Sequence, residues 1–294
     1  MDALHDAMLK LVKVALAEDI GPGDLTSLGC LEPDPAKAQI IAKSAGVLSG
    51  IDAAMLVFKT VDSANRLRLH KHDGDAFKAG DVIMEIDGFN LTILASERVA
   101  LNFLGHLSGI ATMTRRFVEK IREYPECRIL DTRKTTPGWR LLEKMAVVHG
   151  GGVNHRIGLH DMVLVKDNHI ASAGSIAAAV SRMREYLQSP ECHTQFKLEP
   201  EQIILEVEAT SEAEVTEAIG AGVHRLLLDN QTVESLKHLV EVARKLNPSV
   251  TLEASGNVSL ENVAAVASTG VDYISIGAIT HSAPVADFSL RIVG

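Results

Sequence analysis

Apolar positions recur along the chain with two different periods, and the switches between them mark out its parts. Leu4, Met8, Leu11, Val12 and Ala15 fall on one stripe at helical spacing, which predicts an amphipathic helix over residues 3–18. Ile20-Gly21-Pro22-Gly23-Asp24 stops it, because glycine and proline break the pattern. From about residue 38 to residue 89 the period shortens to that of strands, over 39–43, 46–49, 66–70 and 82–86. Asp73-Gly74-Asp75 and Lys78-Ala79-Gly80-Asp81 are turn signals between them, so this part reads as a small α+β domain. Helical spacing returns over residues 92–123, with a break expected near Gly105 to Gly109, and reads as a bridge to a second domain.

Beyond the bridge, short apolar runs at 128–131, 162–166, 203–208, 225–229, 250–254 and 273–277 read as strands. Helical stretches at 175–187, 211–221, 232–246 and 260–268 lie between them. Strand, helix, strand, helix is the pattern of parallel βαβ units. A closed α/β barrel is expected, with an open doubly wound sheet as the alternative. Residues 285–293 alternate as one more strand, expected to return to the N-terminal domain.

The strand candidates end on Asp131, Lys166, Glu208, Asp229, Glu253 and Gly277. Barrel active sites lie at the C-terminal ends of the strands. Glu206 and Glu208 share one face, since strand side chains alternate. A single charged ending marks only where a strand meets solvent; a series of mixed sign favours a site.

Composition narrows the partners. The 294 residues are 46% hydrophobic and only 4% aromatic, so aliphatic side chains must build the core. A net charge of -9 argues against nucleic acid or an anionic membrane as partner. Any anionic substrate must then be held by a local basic cluster. Cys30, Cys127 and Cys192 are too far apart for a disulfide framework or a zinc motif, which points to a reducing cytoplasm. The N-terminal residues lack the basic and apolar regions of a signal peptide, and no apolar run is long enough to span a bilayer.

The basic cluster is found in one block. Asp131-Thr132-Arg133-Lys134-Thr135-Thr136-Pro137-Gly138-Trp139-Arg140 leaves a strand and enters a helix, with Thr136 and Pro137 expected as its cap and first turn. Gly150-Gly151-Gly152 is expected to end that helix, with His149 beside its negative terminus. Asn154-His155-Arg156 and Lys166-Asp167-Asn168-His169 follow. Arginine grips a carboxylate bidentately and lysine serves phosphate as a compact charge, so the group implies a polyanionic ligand. Taken one at a time, Arg133 and Lys134 read as surface charges and His155 as a structural histidine.

Residues 131–170 resemble the signature region of the quinolinate phosphoribosyltransferases (decarboxylating nicotinate-nucleotide pyrophosphorylases). Further segments carry the resemblance over nearly the whole chain: 18–26, 96–104, 107–112, Leu227-Leu228-Asp229-Asn230, Glu253-Ala254-Ser255-Gly256-Asn257 and Asp287-Phe288-Ser289-Leu290. The resemblance implies transfer of phosphoribosyl from phosphoribosyl pyrophosphate to quinolinate with magnesium, giving nicotinate mononucleotide, pyrophosphate and carbon dioxide in NAD biosynthesis. It also implies an N-terminal α/β sandwich, residues 1–112 completed by about 281–294, and an incomplete, seven-stranded α/β barrel over 113–280.

By the same resemblance Arg133, Lys134, His155 and Arg156 hold the quinolinate carboxylates, joined by Arg98 from the other subunit of a homodimer or higher oligomer. Lys166 lies between quinolinate and the leaving pyrophosphate. Glu208 and Asp229 bind the ribose and its magnesium, largely through phosphoribosyl pyrophosphate. Ser255, Gly256, Asn257, Gly277 and Ala278 cradle the 5′-phosphate. Lys134, Lys166, Glu208 and Asp229 are the catalytic candidates, with Glu208 preferred over Glu206 on its spacing to Asp229. Residues 188–201 depart from the family as a longer polar loop, and Gly88-Phe89-Asn90-Leu91 replaces a glycine- and proline-rich turn. The competing readings are a related transferase that takes nicotinate or another pyridine or azole acid without decarboxylation, a Schiff-base aldolase using Lys166, and a non-catalytic binding or regulatory barrel.

Overall fold

The computed structural model describes residues 3–197 and 199–293. They form two compact units. One comprises the chain up to Arg116 together with Lys134–Gly152 and Gly277–Gly294; the other comprises Phe117–Arg133 and Val153–Ile276. The segment 134–152 falls in the first of these compact units.

In the first unit the strands are β1 (Pro35–Ala42), β2 (Gly46–Val47), β3 (Arg66–Leu69), β4 (Ala76–Phe77) and β5 (Val82–Phe89). Alternation on β1 buries Ala38, Ile40 and Ala42, and the helix Ile51–Val61 adds Ile51, Ala54, Val57 and Phe58 to the core. The first helix runs Ala3–Ile20 and buries Met8, Val12 and Leu16. Asp24 caps the next helix, accepting the Thr26 and Ser27 N–H groups at 3.1 Å each.

The helix Asn90–Lys120 is continuous, without the break expected at Gly105 to Gly109. Those glycines serve close packing instead. A Cβ on Gly109 would lie 2.2 Å from the Pro284 carbonyl oxygen, and Gly105 O accepts the Ala286 N–H at 3.0 Å. The helix of the basic block also differs: it begins at Arg140 and ends at His149. Gly138 has φ +85°, a left-handed turn that keeps Pro137 out of the helix, so Thr136 is no cap. Within the longer loop expected at 188–201, the described residues include the helix Pro190–Phe196, capped by Ser189, and the start of a 3-10 turn, Pro200–Gln202.

The second unit is built on a parallel sheet: β6 (Arg128–Leu130), β7 (Val163–Val165), β8 (Leu205–Ala209), β9 (Arg225–Asp229), β10 (Thr251–Ser255) and β11 (Tyr273–Ser275). Their spatial order is β6-β11-β10-β9-β8-β7. Leu130 makes one further parallel bridge, to Val153. The final strand, β12 (Phe288–Val293), returns to the first unit and pairs antiparallel with β1, from Lys37 opposite Val293 to Ala42 opposite Phe288. The antiparallel order is β12-β1-β5-β3. No helix among the described residues is long and apolar enough to cross a membrane.

Candidate active site

Register in the parallel sheet decides which polar side chains meet. Glu206 pairs with Arg225 across β8 and β9, Glu253 pairs with Leu227 and with Tyr273, and Ser255 pairs with Asp229. Alternation then puts Glu206, Glu208, Arg225, Asp229, Glu253, Ser255 and Tyr273 on one face. They occupy two levels.

The deeper level is a closed charge cluster. Glu206 is 0% exposed and Glu253 1%. His155 Nε2 lies 3.2 Å from Glu206 Oε2 and 3.4 Å from Glu253 Oε2. Arg225 reaches Glu253 at 3.4 Å, and its guanidinium sits 4.6 Å from the centre of the Tyr273 ring. His155 is further fixed through its backbone N–H, donated to Asp131 Oδ1 at 2.8 Å, while its Nδ1 lies 2.7 Å from the Arg156 backbone nitrogen. Burial alone would keep the imidazole neutral, but contact with Glu206 and Glu253 outweighs it and lifts the ring to about 9. Burial, and then the Glu253 charge, push the Glu206 carboxyl up to about 7. Neither Glu206 oxygen has an aligned hydrogen-bond donor, so the His155 contact is one of charge and proximity. His155, Glu206 and Glu253 could each offer one metal ligand. Arg225 already supplies the positive charge a cation would bring.

The upper level lies at the strand ends. Continuing the β7–β8 ladder by one residue sets Lys166 beside Glu208, and Lys166 Nζ donates to Glu208 Oε2 at 3.0 Å. The lysine side chain is 45% exposed and that of Glu208 12%, so this pair is open where the Glu206 cluster is shut. An ion-paired, solvent-reached ammonium is the reverse of the desolvated lysine that forms a Schiff base. Burial and then the Arg133 charge lower the Arg156 guanidinium. The Arg133 and Arg156 charges thus act on one another, and such a pair could seat an anion. Asp161 shapes that loop by accepting the Ile157 and Gly158 N–H groups at 2.7 and 2.8 Å. Asp229 ends β9, and beyond β10 the chain turns through Gly256 (φ +92°) and Asn257 (φ +52°).

In the first unit, a Cβ on Gly277 would come within 2.9 Å of Lys134 Cδ, so Lys134 packs over the glycine. Thr280 Oγ1 donates to the Lys134 carbonyl at 2.8 Å, which fixes the lysine backbone against the helix Ala278–His281. Glu143, 0% exposed, accepts the Thr136 N–H at 3.1 Å and lies 2.8 Å from His106 Nε2. Arg98 is exposed on the helix Asn90–Lys120. Sequence reasoning did not assign Arg225, Asn230, Glu143 or Thr280. Arg225 opens rather than ends its strand, and the other three act through partners distant in the chain.

Family models for the N-terminal and C-terminal domains of quinolinate phosphoribosyl transferase match residues 24–108 and 110–291. The chain belongs to this family. It is 43% identical over 278 residues to a probable nicotinate-nucleotide pyrophosphorylase [carboxylating] of Synechocystis sp., covering 95% of this chain and 90% of that one. A Bacillus subtilis protein of the same description is 40% identical, with 98% and 94% covered. Among solved structures, the nicotinate-nucleotide pyrophosphorylase from Francisella tularensis superposes with a TM-score of 0.90 at 39% identity, covering all of both chains. The family's phosphoribosyl chemistry suits the upper level, where the cationic Lys166 and the anionic Glu208 and Asp229 gather at the ends of one sheet. Glu208 and Asp229, on neighbouring strands, are carboxylates that could offer hard oxygen donors to a divalent cation.

Proposed function

We infer that this chain transfers phosphoribosyl from phosphoribosyl pyrophosphate to quinolinate with decarboxylation, releasing nicotinate mononucleotide, pyrophosphate and carbon dioxide for NAD biosynthesis. The observation that carries the reading is the open Lys166–Glu208 pair at the strand ends of a chain matched by the family over residues 24–291. Arg133, Lys134, His155, Arg156 and the partner's Arg98 hold the two carboxylates of quinolinate. His155 serves this set from beside Arg156, with its Nδ1 2.7 Å from the Arg156 backbone nitrogen. Ser255, Gly256, Asn257, Gly277 and Ala278 hold the 5′-phosphate, a placement supported by the left-handed turn after β10.

The chemistry follows from these charges. The ring nitrogen of quinolinate bonds to the anomeric carbon as the bond to pyrophosphate breaks, and that carbon becomes positively charged in between. Glu208 and Asp229 stabilise the developing positive charge. Lys166, held by Glu208 at 3.0 Å, faces the departing pyrophosphate and offsets the negative charge that develops on it. Magnesium, held by Glu208 and Asp229 largely through the substrate, would offset charge on that pyrophosphate. Once the nitrogen is a pyridinium, its positive charge stabilises the electron pair left on the adjacent ring carbon when the carboxylate there departs. Carbon dioxide leaves and a solvent proton takes its place, so no dedicated base is required.

The fold reading that accompanies this function is an N-terminal α/β sandwich over 1–112, completed by about 281–294, and an incomplete barrel over 113–280. The Leu130–Val153 bridge supports a seventh position beside β6. The working form is a homodimer in the cytoplasm, supported by the exposure of Arg98 and by the free Cys30, Cys127 and Cys192. Side-by-side assays with quinolinate and nicotinate test the reading, with quinolinate expected to be the far better acceptor. Nicotinate as the better one would contradict it. Mixing Arg98→Ala and Lys166→Ala proteins should restore part of the lost activity, and no recovery in verified heterodimers would exclude the shared site.

A further inference from the structure

We propose that Asn230 is a positioning residue that ties the carboxylate ending β9 to the turn following β10, so that the two engage phosphoribosyl pyrophosphate as one preformed unit. This rests on the reading above, in which that substrate lies at these strand ends. Asn230 and Asn257 both have φ +52°, a left-handed backbone that only a few non-glycine residues occupy. Each stands just past a strand end, and their side chains are joined. Asn230 Nδ2 donates to Asp229 Oδ2 at 2.5 Å, and Asn257 Nδ2 donates to Asn230 Oδ1 at 3.3 Å. The Asn230 N–H also donates to the Ser255 carbonyl at 2.9 Å.

The turn closes around this amide. A Cβ on Gly256 would lie 2.1 Å from Asn230 Oδ1 and 3.0 Å from the Asn230 nitrogen, so only glycine fits there. The far side is braced as well: Asn262 Nδ2 donates to the Asn257 carbonyl at 2.9 Å. On the near side Gln231 Nε2 donates to the Asp229 carbonyl at 2.9 Å and to the Thr210 carbonyl, beyond β8, at 3.2 Å. Asn230 is thus the middle member of a chain running from the acidic strand end to the phosphate turn.

The residue type fits the task. An amide carries both a donor, for Asp229, and an acceptor, for Asn257, and asparagine tolerates the left-handed backbone. Aspartate would set two carboxylates side by side, and alanine would have neither group. A strained backbone persists where surrounding contacts over-determine it, and such places cluster where ligands are clamped. Fixing a carboxylate before the substrate arrives removes the cost of ordering it during the reaction.

Asn230→Gly separates the side chain from the backbone, since glycine keeps the left-handed turn without the amide. Steady-state kinetics with both substrates and magnesium should show the KM for phosphoribosyl pyrophosphate raised about tenfold and kcat lowered, with the KM for quinolinate and the thermal midpoint near wild type. Gly256→Ala, which drives a methyl into the same amide, should reproduce that split. Wild-type kinetics for Asn230→Gly would overturn the proposal, because the asparagine would then serve only the turn. Equal losses for both substrates would overturn it too. Asp229→Ala run in parallel separates the layers of the argument. If it leaves the kinetics with phosphoribosyl pyrophosphate unchanged, the placement of that substrate fails; if it is impaired while Asn230→Gly is not, only the tie fails.

Discussion

Lys166 and Glu208 meet because two strands are in register, and each side chain can be tested by itself. Removing the amine in Lys166→Ala should lower turnover more than substrate binding, since its charge counts most when pyrophosphate departs. Rapid-quench and equilibrium-binding measurements would separate the two, and a large binding loss with intact turnover would contradict the assignment. Arg133→Ala should instead weaken quinolinate binding by roughly 2–4 kcal/mol, as a buried carboxylate loses its charged partner. Titration calorimetry giving an unchanged affinity would refute that role. The candidates at strand ends were legible because a strand's last residue can be read from its apolar run. Glu206 and Glu208 show the limit. They lie two residues apart on the same face, yet one is sealed against His155 and the other open to Lys166. Depth along the strand separates them, and only the partner strands' register reveals it.

Elements were legible wherever one period ran long enough. The βα alternation from β6 to β11 and the return of β12 to β1 both follow from apolar spacing. Glycine was harder to read, since the same residue breaks helices and lets backbones approach. At Gly105 and Gly109 the second role prevails, as the helix continues under the 284–286 segment. Gly109→Ala should destabilise the protein by about 1–3 kcal/mol, because the added methyl must displace backbone rather than a flexible side chain. Urea unfolding would show this as a lower midpoint, and an unaltered midpoint would mean the packing relaxes freely. At Gly138 the first role prevails: a left-handed turn delays the helix to Arg140, which the Thr136–Pro137 signal concealed.

At the scale of the whole molecule, the buried His155 cluster links folding to pH. The imidazole is lifted from an ordinary 6.5 to about 9, so its charged form is favoured by the fold. A raised value means the stabilisation is complete below pH 6.5 and is lost as pH climbs through about 9. Unfolding midpoints measured from pH 6 to 10 should therefore fall across the upper part of that range, and a flat profile through pH 9 would contradict the charge arrangement. None of this cluster's partners could be paired from sequence, since residues 155, 206, 225 and 253 meet only through the parallel register. The choice of quinolinate, by contrast, came from the family resemblance rather than from any single contact. It is tested most directly with quinolinate labelled in the carboxylate next to the ring nitrogen, together with phosphoribosyl pyrophosphate and magnesium. The account predicts labelled carbon dioxide released one for one with pyrophosphate, alongside unlabelled nicotinate mononucleotide. Pyrophosphate released without labelled carbon dioxide, or no turnover of quinolinate at all, would contradict it.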